Sequence, residues 1–248
     1  MNTTTLEKMR SMKLLGMYRE FKTNLESEQS VTYTPDELIS QLVTAEWDDR
    51  HNRGIEQKIK NARFRYKADL ENLYYNSDRN IDRNQIARLA ECGFIDKAEC
   101  LLITGSTGIG KSYIASALGY QACSRGYRVV YHNVPKLFSK LKMSKADGSY
   151  LKEIAKIERQ HLLILDDFGL QPLDAQSRTA LMELIEDRHG KSALIITSQV
   201  PVSKWHEIIG EQTIADAILD RIVHHAHRLE LTGESLRKRR KPETEIIR

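Results

Sequence analysis

The sequence predicts an α/β protein built on a parallel sheet and preceded by a small all-α N-terminal domain. Three observations carry that expectation. From about residue 86 onward, short apolar runs alternate with helix-length segments. Those runs are continuously apolar, as strands covered on both faces are. Before residue 86, apolar residues recur instead at helical spacing.

In the N-terminal part, Leu6, Met9, Leu14, Leu15, Met17, Tyr18 and Phe21 share one helix face. A polar break follows. Thr34-Pro35-Asp36-Glu37 then reads as a helix start: Thr34 caps, Pro35 suits the first turn, and Glu37 completes a capping box. Leu38, Ile39, Leu42, Val43 and Trp47 form an apolar stripe behind it, and charge density rises from Asp48 to Lys67. Tyr74 to Arg83 reads as a polar connector. Beyond it, strands are expected at CLLITG (100–105), RVVYHN (128–133), LLILDD (162–167) and SALIITS (192–198). Helices are expected over 111–125, 134–159 and 174–188. The expected organisation is a helical domain over 1–75, a connector over 76–85, an α/β domain over 86–236 and a basic tail over 237–248.

Composition narrows the function classes. With 40% hydrophobic and 29% charged residues, the chain supports a globular core. A net charge of +4 and a pI near 8.8 permit nucleic acid as a partner without demanding it. The three cysteines, Cys92, Cys100 and Cys123, form no C-x-x-C pair, which argues against a disulfide framework or zinc ribbon. The segment MNTTTLEKMRSMKLL has no continuous apolar run of signal-peptide type. No apolar run reaches the roughly 18 residues a membrane helix needs. A soluble, cytoplasmic protein with no membrane partner is expected.

LLILDDFG sets two adjacent carboxylates at the end of the most apolar run in the chain. Each would raise the other's pKa unless positive charge lies nearby. That charge is supplied by a second motif. Gly105-Ser106-Thr107-Gly108-Ile109-Gly110-Lys111-Ser112 is G-x-x-x-x-G-K-S, after an expected strand and before an expected helix. In such a loop, backbone N–H groups turn inward around the β-phosphate and the helix N-terminus adds partial positive charge. Residues Gly105 to Tyr113 are thus candidate ATP contacts. Lys111 would reach the β- and γ-phosphates, Ser112 would bind Mg²⁺, and Asp166 would hold Mg²⁺ through water. Asp167 would polarise the attacking water. SALIITSQ ends in polar residues, and Gln199, with Ser198 as second choice, is a candidate γ-phosphate sensor.

The runs GSTGIGKS, ILDDFGLQPL, IITSQVPVSKWHEIIG and ADAILDRIVHHAHRLELTGESLRKRR together resemble the IstB-type AAA+ ATPases, helper proteins of insertion-sequence transposition. The resemblance covers roughly residues 1–240. It implies a P-loop AAA+ domain with the helical lid domain absent or vestigial. It implies that Arg221 is an arginine finger completing a neighbouring subunit's site, which agrees with the gain phosphoryl transfer draws from a trans arginine. A structural ion pair is the alternative. It also implies that Arg237 is a second sensor arginine. His224, His225 and His227 are read as solvated or interface residues, because no carboxylate or cysteine stands at ligand spacing.

The resemblance implies duplex DNA, a transposase and further copies of the chain as partners, with self-assembly driven by ATP and DNA. Two basic regions are candidate phosphate contacts: Arg53, Lys58, Lys60, Arg63 and Arg65, then Lys136, Lys140, Lys142 and Lys145. A solvated helix face is the alternative for each. A replicative helicase loader, or a DNA-binding structural protein using ATP as assembly glue, are the rival functions.

Overall fold

The computed structural model describes residues 2–27, 33–75 and 77–236. The chain divides into two compact units, Met1–Gln57 and Lys58–Arg248.

The first unit is helical: α1 (Asn2–Ser11), α2 (Leu15–Glu26) and most of α3 (Pro35–Ala62). The capping box at the start of α3 forms. The Thr34 N–H donates to the Glu37 carboxylate at 2.8 Å, and the Glu37 N–H donates to Thr34 Oγ1 at 3.3 Å. Glu46, buried in mid-α3, accepts the first backbone N–H groups of α2, from Gly16 at 2.9 Å and Met17 at 3.3 Å. A Cβ at Gly16 would lie 2.2 Å from the Ala45 carbonyl oxygen, so glycine lets the two helices meet. The expected stripe on α3 is left partly open, with Ile39, Val43 and Trp47 exposed.

The second unit carries a five-stranded, all-parallel sheet of order β2-β3-β4-β1-β5. Its elements in sequence are α4 (Arg83–Ala90), α5 (Gly93–Asp96), β1 (Cys100–Gly105), α6 (Lys111–Ser124), β2 (Val129–Asn133), α7 (Val134–Ala146), α8 (Tyr150–Glu158), β3 (Leu162–Phe168), α9 (Ala175–Arg188), β4 (Ala193–Ser198), α10 (Trp205–Ile209), α11 (Gln212–Val223) and β5 (His227–Leu231). Alternate residues of the inner strands β1, β3 and β4 feed two cores. Leu101, Ile103 and Ile164 pack with α4 to α6 on one face. Leu102, Leu163 and Leu165 pack with α7, α9 and α11 on the other. This two-sided burial is why the strands read as unbroken apolar runs.

Three features differ from the sequence expectation. The 134–159 stretch is two helices, broken where the Asp147 side chain turns the chain by accepting the Ser149 N–H at 2.9 Å. β5 is a strand that the alternating run HRLEL did not announce, an edge strand with only Leu229 and Leu231 buried. Residues 58–75, grouped by sequence with the N-terminal helices, belong to the second unit. There Ala62 and Leu73 enter the core and Phe64 stacks on Tyr120 at 4.6 Å.

Candidate nucleotide-binding site

The site forms at the carboxyl ends of β1, β3 and β4, where open parallel sheets bind ligands. β4 lies between β1 and β3, so the residues at its end come between the glycine-rich loop and the aspartate pair.

Gly105 leaves β1 with φ +143, and a Cβ there would meet the Leu231 carbonyl oxygen at 2.5 Å. Gly110 caps α6 with φ +104, beside the Arg79 guanidinium. Both positions require glycine. Lys111 is buried, and its ammonium donates to the carbonyls of Gly105 at 2.7 Å and Ser106 at 2.8 Å. The charge therefore sits inside the loop. Ser112 Oγ donates to Asp166 Oδ1 at 2.7 Å.

Asp166 has 0% exposure and is held from several sides. Its Oδ1 also accepts from Thr197 Oγ1 at 2.5 Å, and its Oδ2 accepts from the Tyr131 hydroxyl and from Arg65 Nη1 at 3.2 Å. Burial first, and then the neighbouring carboxylate, push the Tyr131 hydroxyl pKa well above its ordinary value. It therefore donates to Asp166 throughout the neutral range. Asp167 adopts a left-handed backbone, φ +62, where the β3–β4 register shifts between Leu165 and Phe168. Non-glycine residues rarely take that conformation. It turns the second carboxylate out of the strand. Asp167 Oδ2 accepts from Arg65 Nη1 at 2.8 Å and from Asn133 Nδ2 at 2.9 Å. Thr197 Oγ1 also accepts the Asp167 N–H at 3.1 Å. Gln199, just past β4, accepts from Thr107 Oγ1 of the loop at 2.6 Å.

Arg65, Thr107, Lys111, Ser112, Asp167 and Gln199 line one side of a cavity of about 580 Å³, with Asp166 buried behind them, and its other walls include Tyr66, Leu73, Tyr74, Tyr113 and Leu236. That is the size of a small-molecule site, with phosphate-type chemistry at one end and apolar or aromatic surface at the other. A hydroxyl beside a buried carboxylate is the hard-oxygen donor set that suits Mg²⁺, so Ser112 and Asp166 fit the ion.

Of the other residues singled out in the sequence, Ile109 is buried beneath the loop. Ser198 Oγ donates to the Phe168 carbonyl at 2.7 Å, away from the loop. Arg221 lies on α11 next to Cys100 and Ser192, at the amino ends of the strands. It donates to the Ala217 carbonyl at 2.8 Å and pairs with Glu186 at 3.4 Å. Roughly 17 Å of strand, at about 3.3 Å per residue, separates that end of β1 from its own loop. Arg237 lies outside the described residues; the Leu236 N–H donates to the Gly108 carbonyl of the loop at 3.0 Å. His224 pairs with Asp220 and His227 with Glu99, and among the described residues no three metal-type side chains converge.

The basic stretch divides. Arg53 pairs with Asp49 at 2.6 Å on α3. Lys58 and Lys60 are in the last turns of α3, and Arg63 follows it, exposed, with φ +58. Arg65 is exposed but committed: it bridges Asp166 and Asp167. It is separated from them by about a hundred positions, and no local pattern marks it. On α7, Lys140 pairs with Glu153, Lys142 lies 3.9 Å from Asp174, and Lys145 lies over the Tyr150 ring at 4.6 Å. Lys136 is in the first turn. Tyr131, Asn133 and Thr197 were also missed. Asn133 and Thr197 are polar residues at the carboxyl ends of strands, which is the signal that could have found them; Tyr131 lies in mid-β2.

The sheet order, the loop and the aspartate pair define an ATP-binding protein with the P-loop AAA+ fold. Residues 6–244 match the IstB-like ATP binding proteins, and the chain belongs to that family. It is 43% identical over 234 residues to the insertion-sequence ATP-binding protein y4pL of Sinorhizobium fredii, covering 94% of this chain and 96% of that one. It is 30% identical over 211 residues to the IS21 ATP-binding protein of Pseudomonas aeruginosa, covering 85% and 80%. In fold it is similar to the DnaC helicase loader (TM-score 0.57, 20% identity, 67% of this chain and 98% of that one). It is likewise similar to DnaI (TM-score 0.59, 24% identity, 71% and 94%). No helix among the described residues is long and apolar enough to cross a membrane.

Proposed function

We propose that this protein is an ATPase that regulates DNA transposition: ATP binding assembles copies on duplex DNA, the assembly recruits or stimulates a transposase, and hydrolysis resets it. The observation that carries the reading is the separation of Arg221 from the convergent Lys111, Ser112, Asp166 and Asp167. One copy holds the nucleotide-binding half of a phosphoryl-transfer site. Its candidate finger lies at the far end of the sheet, so a second copy is needed to bring an arginine to the γ-phosphate.

Each residue then has a task. Lys111 binds the β- and γ-phosphates from within the loop. Ser112 and Asp166 would hold Mg²⁺, which when bound neutralises charge on the phosphates. Asp167 presents Oδ1 to the attacking water, since Arg65 and Asn133 both occupy Oδ2. Gln199, tied to Thr107, stands where it can sense the γ-phosphate. The relatives' insertion-sequence context supports the transposition reading over a helicase loader, with which the likeness is one of fold. Lys136, Lys140, Lys142 and Lys145 on α7, with Lys58, Lys60 and Arg63, are the proposed DNA phosphate contacts. Of these, Lys140 and Lys142 are paired with carboxylates, but both lysine side chains are exposed and can exchange those partners for phosphate.

Analytical ultracentrifugation with and without duplex DNA, under ATP, ADP and no nucleotide, tests this. A large DNA-bound species is expected with ATP alone, and is expected to vanish in Lys111→Ala and Arg221→Ala. A nucleotide-insensitive monomer or dimer in the wild type would refute the switch.

A further inference from the structure

We propose that Arg65 is a resident counter-cation for the Asp166–Asp167 pair, a positioning residue that gives up Asp166 when a divalent cation takes that carboxylate. The inference rests on the nucleotide-site reading above and adds a residue to it. Two adjacent carboxylates, one fully buried, need compensating charge at all times. Lys111 is turned toward the carbonyls of Gly105 and Ser106. Arg65 Nη1 reaches both aspartates, at 3.2 Å and 2.8 Å. A divalent cation held by Ser112 would meet the Oδ1 side of the carboxylate whose Oδ2 faces the guanidinium, so two positive centres would share one carboxylate and compete for its charge.

The surroundings of Arg65 allow that exchange. Its side chain is 39% exposed, unlike Arg188, which is 3% exposed and donates to four backbone carbonyls as a fixed clamp. The preceding Phe64 is fixed: it stacks on Tyr120, and a Cβ on Gly119 of α6 would meet its ring at 2.4 Å. The following Tyr66 has its ring 5.5 Å from the guanidinium and, like Arg65, lines the nucleotide cavity. The backbone is thus anchored beside a side chain free to swing between the carboxylates and the cavity. Asp167, the shorter of the two contacts, keeps its arginine when Asp166 is released. Loading then shifts Arg65 toward the phosphate side of the site.

The test is binding of a fluorescent ADP analogue to the full chain, titrated with Mg²⁺ and repeated in EDTA, for wild type, Arg65→Gln and Arg65→Lys. Arg65→Gln is expected to reach its half-maximal Mg²⁺ effect at roughly fivefold lower Mg²⁺, and to bind the analogue roughly fivefold more weakly in EDTA, as loss of one half-exposed charge-assisted contact predicts. Arg65→Lys, which retains the charge and serves if the glutamine variant is unstable, is expected within about twofold of wild type. An unchanged Mg²⁺ midpoint in a folded Arg65→Gln protein would overturn the inference. So would an equal loss of affinity with and without Mg²⁺, which would make Arg65 a phosphate ligand. A wild type that binds no nucleotide would instead overturn the site reading itself.

Discussion

Thr197 orients both aspartates with one hydroxyl. It donates to Asp166 Oδ1 and accepts the Asp167 N–H, and it has 0% exposure. Valine has the same shape and neither bond. Thr197→Val would leave a buried carboxylate short of one donor and a backbone N–H in a strained turn without its acceptor. Orphaning buried polar groups costs about 1–3 kcal/mol. A loss of about 2 kcal/mol in urea unfolding is expected for Thr197→Val, with most of it restored in Thr197→Ser. An unchanged midpoint would show that the hydroxyl is dispensable. The wider lesson concerns charge. The positive partner that LLILDDFG demands is supplied in this structure by Arg65, which no spacing rule connects to the motif. Lys111, which the spacing does identify, is folded into its own loop.

Among the elements, β2 shows what an edge position does to a strand. Tyr131 and Asn133 point into the site, while His132, between them, is half-buried on the other face. Burial first, then Lys140 and Arg63, lower the His132 pKa from 6.5 to about 4, with Glu153 opposing. The folded state therefore favours the neutral ring. Its contribution is fully present above pH 6.5 and is lost as pH falls toward 4, because the unfolded chain binds the proton first. Wild type is expected to lose on the order of 2 kcal/mol more than His132→Leu between pH 7 and pH 4.5, read as the difference in urea midpoints at the two values. Equal pH dependence would remove His132 from the account. Strands β1, β3 and β4 were legible because burial on both faces makes an unbroken apolar run. β5 was not, since its one buried face leaves a short alternating pattern at the sheet edge. The break between α7 and α8 depends on Asp147 capping a local turn, which periodicity smooths over. The glycine-rich loop was legible because phosphate binding fixes its spacing. Arg65, Tyr131, Asn133 and Thr197, which hold the aspartates, were not, because they converge from β2, β4 and the segment after α3.

For the whole molecule, the proposal predicts that activity belongs to pairs of copies. The nucleotide-binding residues and Arg221 lie at opposite ends of the sheet. A copy with Arg221→Ala keeps its loop intact, and a copy with Lys111→Ala keeps its arginine. Each alone should be nearly inactive, because every site in a pure assembly lacks one essential group. In a one-to-one mixture, a site works when the first variant holds the nucleotide and the second supplies the finger. Random neighbours satisfy that in roughly a quarter of sites, so phosphate release in the presence of DNA should recover up to roughly a quarter of the wild-type rate. Assembly is itself nucleotide-dependent in this reading, and the Lys111→Ala copy joins less readily, so the recovery falls below that bound. Recovery should also rise with total protein, since it requires association. A mixture no more active than the sum of its parts at any concentration would mean that Arg221 acts within its own chain or is structural. The Glu186 contact would then be its main role. An Arg221→Lys protein retaining most activity would argue the same way, because lysine keeps the charge while losing the planar, bidentate donor that a transferring phosphoryl group selects.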